Sequence, residues 1–568
     1  MEIPVRIVDH RPIATLTLNG TDVPMLVDSG AFFSFLTEST AARLKLPLHR
    51  LPDGVRLEGY AGRVQGRLTR VEKVGLLGAQ LKSIEFVVGG NELGSGIGGI
   101  LGRNILSIAD SEYDLAQGVV RLVFPKGECA KANLAYWAGK APVVEVPLDR
   151  NWNGDDRVIQ VEVRINGKAN VAVLDTGAPT TALALGAARR AGIEESRLAP
   201  SGRVGGAGEG KVKSWMGEVA AFEVGGEKIS ASRLQINDIE DGDVGVVLGL
   251  DYFLSHRIYV SRLQRKVYIT WNGTPIFEDA GSTRGTYDTR YAALPQALAT
   301  DDADALARRG AAAIAAGDYA RALDDLNRAC ELAPTVAENF FARARLHLAQ
   351  QRLPHALADL DETLRLDPAL AEARSRRAWV QASLGEHERA RADLAHLDLA
   401  EPPSSHLRAA MGDLYARFDQ AGEALKQFDL WLTSHPNDAQ RARVLNSRCW
   451  LRARLGIDLP LALQDCKDAV DVDGGSAAYR DSLGWTYLRM GDGARAKKAF
   501  DAGIRVETLA FSFYGRGLAR LRLDDAAGGE QDLAAARRLD PTIDEAVRKA
   551  GFDGLQGVRR PGTPGPTP

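Results

Sequence analysis

The sequence has few cysteines, no long apolar run and no surplus of one charge, and each shortage removes a class of protein. Four cysteines in 568 residues, Cys129, Cys330, Cys449 and Cys466, are too few and too scattered for a disulfide scaffold. They also lack the close ligand pairs of a zinc site, so no metal is expected. No stretch approaches the roughly 18 uninterrupted apolar residues that span a bilayer, so no transmembrane segment is expected. A formal net charge of -3 leaves no basic surplus with which to hold nucleic acid or an anionic membrane. The chain starts almost directly in a strand-like pattern, without a basic segment followed by an apolar one. It is therefore either cytoplasmic or stripped of a leader.

What the sequence does have is an internal duplication. PMLVDSGAFFSFLTEST at 24–40 returns as NVAVLDTGAPTTALALG at 170–186, and the offset of 147 between Asp28 and Asp175 recurs at other landmarks. It relates Asn19-Gly20 to Asn166-Gly167, Gly59 to Gly206, and Leu101-Gly102 to Leu248-Gly249. Two copies of one lobe follow, at 1–125 and 142–272. Alternating stretches such as ATLTLNG, RVIQVEVRING and VVRLVF, bounded by Gly, Asn and Pro, predict strands. TESTAARLKLP and ALGAARRAGI predict a short helix after each acid. The expected lobes are small closed β structures.

LGSGIGGILGRNIL spaces Gly94, Gly96 and Gly99 as GxGxxG, but a dinucleotide fingerprint must follow a strand and open a long helix, and this segment closes a β lobe. These are expected to be flexible loop glycines, and no cofactor is expected.

One Asp-Ser-Gly or Asp-Thr-Gly alone reads as a turn. Here both follow a buried-looking run, and both precede by 74 residues a Gly set among apolar residues, in ILGRNIL and VVLGLDYFL. An acid at the end of a buried strand is costly without a partner. Two related lobes facing across a pseudo-twofold axis would make Asp28 and Asp175 each other's partner, holding one proton between them. Such a dyad can activate water through its ionised member and protonate a carbonyl oxygen through its neutral one.

Asp28-Ser29-Gly30-Ala31 and Asp175-Thr176-Gly177-Ala178, each with its downstream apolar-apolar-Gly, resemble retropepsin-like aspartic proteases of the bacterial kind with two fused lobes. Ile100-Leu101-Gly102-Arg103-Asn104 looks like the retroviral form of the second motif. The resemblance covers residues 1 to about 272. It implies an all-β, pepsin-like or retropepsin-like double lobe in which Asp28 and Asp175 are the catalytic dyad. It also implies that Ser29 and Thr176 cross-brace the lobes, and that Gly30 and Gly177 let backbone approach the carboxylates. Gly59-Tyr60-Ala61-Gly62 and Gly205-Gly206-Ala207-Gly208 stand where family members carry flaps over the substrate. Two features depart from the retroviral pattern. Phe32 and Pro179 replace the acid that would pair with the later Arg, leaving the partner of Arg103 open with Leu250 as its counterpart; and only the first flap has an aromatic, Tyr60. Ala31 and Ala178 cannot donate a side-chain hydrogen bond to the carboxylates, which implies activity closer to neutral pH than that of pepsins. Trp215 and Tyr252 are candidate groove walls.

From about residue 303 the composition turns to Ala, Leu and Arg with a 34-residue period. Ala322, Ala356, Ala390 and Ala424 keep it, as do Pro334, Pro368, Pro402 and Pro436, and the register resumes at Ala462, Ala496 and Gly529, with Pro541 closing. Small residues recur at Gly310, Ala344, Ala378, Gly412, Cys449, Gly484 and Gly517. This resembles tetratricopeptide repeats, about seven over 303–553, after a linker at 273–302 and before a disordered tail at 554–568. The expected all-α superhelix offers a concave face to a peptide or protein partner. Cys449 and Cys466 fall on packing positions and are expected as buried small residues; a disulfide between them requires an oxidising compartment.

The leading expectation is an aspartic endopeptidase acting on protein or peptide substrates, with a repeat arm that docks substrate or partner. The rival is a binding protein or scaffold whose pepsin-like groove holds peptides without cutting them. Relatives of the resembled kind are often exported, which favours a periplasmic or secreted location over the cytoplasm.

Overall fold

The structure, a computed structural model, describes residues 1–52, 57–59, 62–76, 79–90, 93–94, 96–126, 129–139, 141–149, 157–206, 211–239, 244–274, 276–277, 286–287 and 301–556. It divides into two compact units, Met1–Leu397 and Asp398–Pro568.

Each lobe is a sheet that closes on itself. In the first, hydrogen-bonded order runs Arg6–Val8, Arg11–Leu18, Thr21–Val27, Gly99–Leu101, Phe35–Leu36, Ala79–Gly89, Gly66–Leu76 and His49–Arg50, and Arg11–Leu18 also pairs with Gly66–Leu76. The alternation read in the sequence is the reason: Ala14, Leu16 and Leu18 are buried while Thr15 is exposed. The hairpin turn Asn19-Gly20 takes φ of 50° and 90°, and its copy Asn166-Gly167 takes 50° and 79°, the left-handed pair that a two-residue hairpin needs. The second lobe repeats the order with Ala199–Gly205, Lys211–Val224, Gln160–Ile165, Lys168–Leu174, Val246–Leu248, Ala182–Ala184 and Glu227–Asn237, closed by pairing of Lys211–Val224 with Glu227–Asn237.

In both lobes the strand ending in the acid runs parallel to the later apolar strand, Val27 opposite Leu101 and Leu174 opposite Leu248. That parallel register is the structural meaning of the repeated spacing. A third sheet joins the lobes, ordered Glu2–Pro4, Val119–Val123, Asp110–Asp114, His256–Ser261, Lys266–Trp271 and Val144–Pro147. At its centre Ser111 pairs with Val260 and Tyr113 with Ile258. Glu112, fully buried there, accepts from Arg257 at 2.9 and 2.6 Å, from Arg121 at 2.6 Å and from the Tyr136 hydroxyl at 2.5 Å. Without those donors the buried carboxylate would be strongly destabilising.

Among the described residues the helical part comprises seven pairs, from Ala303–Ala315 with Tyr319–Leu332 to Ala510–Leu521 with Ala526–Leu539, followed by a single helix, Ile543–Lys549. The recurrent small residues sit where paired helices touch: a Cβ on Gly310 would lie 2.6 Å from Leu326, and one on Gly412 2.5 Å from Phe428. Immediately before five of these small residues stands an arginine that grips an aspartate of the second helix with both nitrogens. The pairs are Arg309–Asp325, Arg343–Asp359, Arg377–Asp393, Arg448–Asp465 and Arg516–Asp532. Fork-shaped charge-assisted bonds of this kind fix orientation as well as adding energy.

The first helices lie against the β region within the first unit. Ala312 belongs to the same core as Val5 and Leu254, Arg6 pairs with Asp304 at 3.2 Å and Glu338 at 2.6 Å, and a Cβ on Gly118 would sit 2.5 Å from that of Arg308. Most of the segment read as a linker lies outside the described residues.

One expectation is corrected. Cys449 and Cys466 are buried, as their packing positions imply, but they are bonded to each other. Their Cα atoms, on the two helices of one pair, are 5.4 Å apart, the spacing a disulfide spans without backbone movement. Cys129 and Cys330 are free thiols.

Candidate active site

Each acid is placed by the strand that carries it and the parallel strand beside it. The Asp28 N–H donates to Leu101 O at 3.0 Å and the Asp175 N–H to Leu248 O at 2.9 Å. One residue further on, the lobes exchange hydrogen bonds. The Ser29 N–H donates to Thr176 Oγ1 and the Thr176 N–H to Ser29 Oγ, both at 3.0 Å. Each hydroxyl then donates across the interface, Ser29 Oγ to Leu174 O at 2.8 Å and Thr176 Oγ1 to Val27 O at 2.7 Å. With both side chains buried, no water can replace these bonds.

The brace draws the acid loops together until only glycine fits between them. A Cβ on Gly30 would stand 2.5 Å from Asp175 Cγ, and one on Gly177 2.4 Å from Asp28 Cγ. The Ala31 N–H donates to Asp28 Oδ1 at 2.7 Å and the Gly177 N–H to Asp175 Oδ1 at 2.8 Å. Both acids keep an edge open to solvent. Burial, then the charge of Asp175 and a hydrogen bond to it, push the Asp28 carboxyl well above the usual range, against the opposing pull of the Ala31 and Gly30 N–H groups. The arrangement can therefore hold one proton and one negative charge side by side at a solvent edge.

Behind each acid lies a second pair that the sequence reading missed. Ser34 donates from N and Oγ to Asn104 Oδ1 at 2.8 and 2.7 Å, and its Oγ accepts from the Gly102 N–H. Thr181 does the same with Asp251, and its Oγ1 accepts from the Gly249 N–H at 3.1 Å. The same offset of 147 relates Ser34 to Thr181 and Asn104 to Asp251, so the signal was present. Arg103 is buried, and its N–H and Nε both point at Ala31 O, at 2.9 and 3.4 Å; the Leu250 N–H makes the equivalent backbone bond to Ala178 O at 2.8 Å.

Both flap segments form hairpins. Leu57–Gly59 pairs with Gly62–Val64, Gly59 opposite Gly62, while Tyr60 and Ala61 lie outside the described residues. In the second lobe Gly205 is opposite Lys211 at the end of the hairpin, with Gly206 following, and Ala207 and Gly208 lie outside the described residues. Of the two candidate walls, Tyr252 is fully buried and stacks on His256 at 4.0 Å, so it lines no groove, whereas Trp215 is half-buried and packs against the core from the strand Lys211–Val224. Gly94 and Gly96 are loop glycines with φ near 70°, whereas Gly99 is a strand residue whose Cβ would meet Phe35 O at 2.2 Å. Among the described residues no three His, Cys, Asp or Glu side chains cluster so as to hold a metal ion, and no helix is long and apolar enough to cross a membrane.

The aspartyl protease family matches residues 14–105 and again 161–252, each span enclosing one acid and its later glycine. The tetratricopeptide repeat family matches residues 303–336. No curated protein matches the chain. Among solved structures, a tetratricopeptide repeat protein from Parabacteroides merdae is 19% identical, covers 45% of this chain and 98% of its own, and superposes with a TM-score of 0.36. A human IFIT1 dimer with PPP-AAAA is 15% identical over 44% of this chain and 63% of its own, with a TM-score of 0.34. The Cut9-Hcn1 hetero-tetramer of APC/C is 16% identical over 44% and 49%, with a TM-score of 0.35. The N-terminal region carries two copies of a retropepsin-like aspartyl protease lobe, and the C-terminal region is a tetratricopeptide-type helical array.

Proposed function

We propose that the chain is an aspartic endopeptidase in which Asp28 and Asp175 act as one dyad. The observation that carries this reading is the reciprocal Ser29 and Thr176 brace, which costs four buried hydrogen bonds to arrange and holds two carboxyls face to face. In the free site the two acids share one proton and one negative charge, in keeping with the raised Asp28 carboxyl. The ionised member takes a proton from water as the oxygen bonds to the scissile carbonyl carbon, and the protonated member gives its proton to the carbonyl oxygen. The dyad then returns a proton to the amide nitrogen as the C–N bond breaks, leaving an acid and an amine. The flap hairpins would cover the substrate, and the helical array would dock a protein or peptide partner. The Cys449–Cys466 bond supports an oxidising location, periplasmic or secreted, for the working protein.

The test is cleavage of a diverse peptide library from pH 3 to 8, read by mass spectrometry, for wild type beside Asp175→Asn. Wild type should cut and the variant should not. Products from both, or from neither at any pH, would overturn the reading.

A further inference from the structure

Just after each acid the chain pins a short loop, and the two loops share a backbone but not their side chains. In the first lobe Ala31 O accepts from the Arg103 N–H at 2.9 Å and the Ser34 N–H donates to Asn104 at 2.8 Å, which fixes Phe32 and Phe33 from both ends. In the second, Ala178 O accepts from the Leu250 N–H at 2.8 Å and the Thr181 N–H donates to Asp251 at 2.9 Å, fixing Pro179 and Thr180. The middle of the loop is matched as well. A Cβ on Gly102 would lie 2.4 Å from Phe33 O, and one on Gly249 2.5 Å from Thr180 O. With the backbones held alike, side chains decide what each loop presents beside the dyad.

The first loop presents aromatic rings. The Ala31 N–H touches the Asp28 carboxyl, and the next residue, Phe32, is 36% exposed. Its ring lies 6.0 Å from that of Phe33 and meets that of Phe35 edge-on, at 6.1 Å and 85°. Phe33 and Phe35 are half-buried, so the rings share one partly exposed surface. At the same offset of 147 the second lobe has Pro179, Thr180 and Ala182, the first two exposed and the third buried. A core takes phenylalanine rings inside; the pinned loop keeps these partly out, and an exposed apolar cluster beside a reactive pair is a surface for an apolar side chain to cover. Because the loop is tied at both ends, little freedom is left to lose when that happens.

We propose that Phe32, Phe33 and Phe35 form a shelf for one substrate side chain, so that the groove takes peptides with an aromatic or large aliphatic residue on one side of the scissile bond and not at the mirror position on the other. A side chain facing Pro179 and Thr180 meets no ring and gains little from being large. The part the shelf plays in turnover rests on the endopeptidase reading.

The test is a randomised peptide library cut by wild type, with the residues flanking each broken bond counted by mass spectrometry. Phe, Tyr, Trp, Leu and Met should be enriched at least about fivefold at one position on one side, and by less than about twofold at its mirror position. Phe32→Ala should lose that enrichment and Phe32→Leu should retain most of it. Pro179→Phe with Thr180→Phe carries rings into the second lobe and should add enrichment at the mirror position. Equal enrichment on both sides, none on either, or a Phe32→Ala profile matching that of wild type overturns the shelf and leaves the dyad standing. Capture of the same library on immobilised Asp175→Asn, with and without Phe32→Ala, separates the shelf from the chemistry. Peptides with large apolar residues should be retained at least about fivefold over their alanine counterparts only while Phe32 is present. Such retention beside a wild type that cuts nothing would refute the dyad and support the shelf, whereas retention without preference overturns the shelf.

Discussion

Replacing Thr176 with Val tests the brace beneath the dyad with almost no change of shape. Valine lacks the oxygen that donates to Val27 O at 2.7 Å and accepts the Ser29 N–H at 3.0 Å, and the site is closed to water. Two buried backbone groups are left without partners, each at about 1 to 3 kcal/mol, so the variant should lose about 2 to 6 kcal/mol of local stability. Thr176→Ser keeps the hydroxyl and gives up one methyl, a loss of about 1 kcal/mol. A chain of this size does not unfold in two states, so the assay is amide exchange of the peptides spanning 20–40 and 165–185, read by mass spectrometry. At about 1.4 kcal/mol per tenfold, Thr176→Val should speed exchange by at least about thirtyfold and Thr176→Ser by less than about tenfold. Ser29→Ala should mirror the valine variant, because it strands the Thr176 N–H and Leu174 O. If Val and Ser variants exchange within about twofold of each other, the hydroxyl holds nothing together and the geometric argument for the dyad fails.

The raised Asp28 carboxyl keeps the shared proton above the ordinary aspartate range, so the alkaline limb of the cleavage profile should lie above it; an optimum below about pH 3 would refute this. Asp28→Asn should abolish cleavage at every pH while leaving the circular dichroism spectrum intact, and residual turnover would assign the chemistry elsewhere. Burial pushes the Asp481 carboxyl up to about 7, with Ser512 donating to it at 2.8 Å. Because its unfolded value is lower, this group's stabilising share is complete below about pH 4 and is lost as pH rises through about 7, up to about 4 kcal/mol in all. Asp481→Asn should therefore raise the melting temperature at pH 8 and leave it little changed at pH 4, and a parallel pH slope for both proteins would refute the assignment. The Cys449–Cys466 bond closes a loop of sequence separation 17, worth about 3 kcal/mol by chain entropy. Reduction, or Cys449→Ala with Cys466→Ala, should lower the helical melting transition, and titration of the denatured chain before reduction should find the thiols of Cys129 and Cys330 alone.

The duplication made the site legible because a repeated offset constrains many positions at once. Asp28 and Asp175 could be paired before any geometry was known, and the offset would also have yielded Ser34, Thr181, Asn104 and Asp251 had polar positions been followed as closely as glycines. The sheet between the lobes was not legible. Its central strand, Asp110–Asp114, reads DSEYD, a polar segment by any local rule, yet it is buried throughout because Arg121 from the adjoining strand and Arg257 from a strand of the other lobe satisfy Glu112. Tyr252 was misplaced for the opposite reason, since an aromatic beside a turn carries no sign of which way the turn faces. Cys449 and Cys466 were recognised as packing positions, but the bond depends on two helices facing each other at one level. The turn-back at Gly551 was not legible because residues 550–556 have no period: a glycine turn and one phenylalanine carry no sign of which surface they fold onto.

Fusion of the two lobes also permits what identical halves forbid. In a site built from two copies of one sequence, symmetry makes both sides equal toward a bound peptide, although a peptide has direction. Here the equality is lifted around the acids and not in them. Arg103 reaches Ala31 O where Leu250 offers only its backbone, and Asn104 is answered by Asp251, a carboxyl that burial raises against the pull of Thr181 and Tyr252. The flap segments carry the same inequality in their sequence, with Tyr60 in the first and no aromatic in Gly205-Gly206-Ala207-Gly208. Under the endopeptidase reading, a peptide laid in the groove one way would meet a different flap than when reversed, a bias that a homodimeric site could reach only by distorting as the substrate binds.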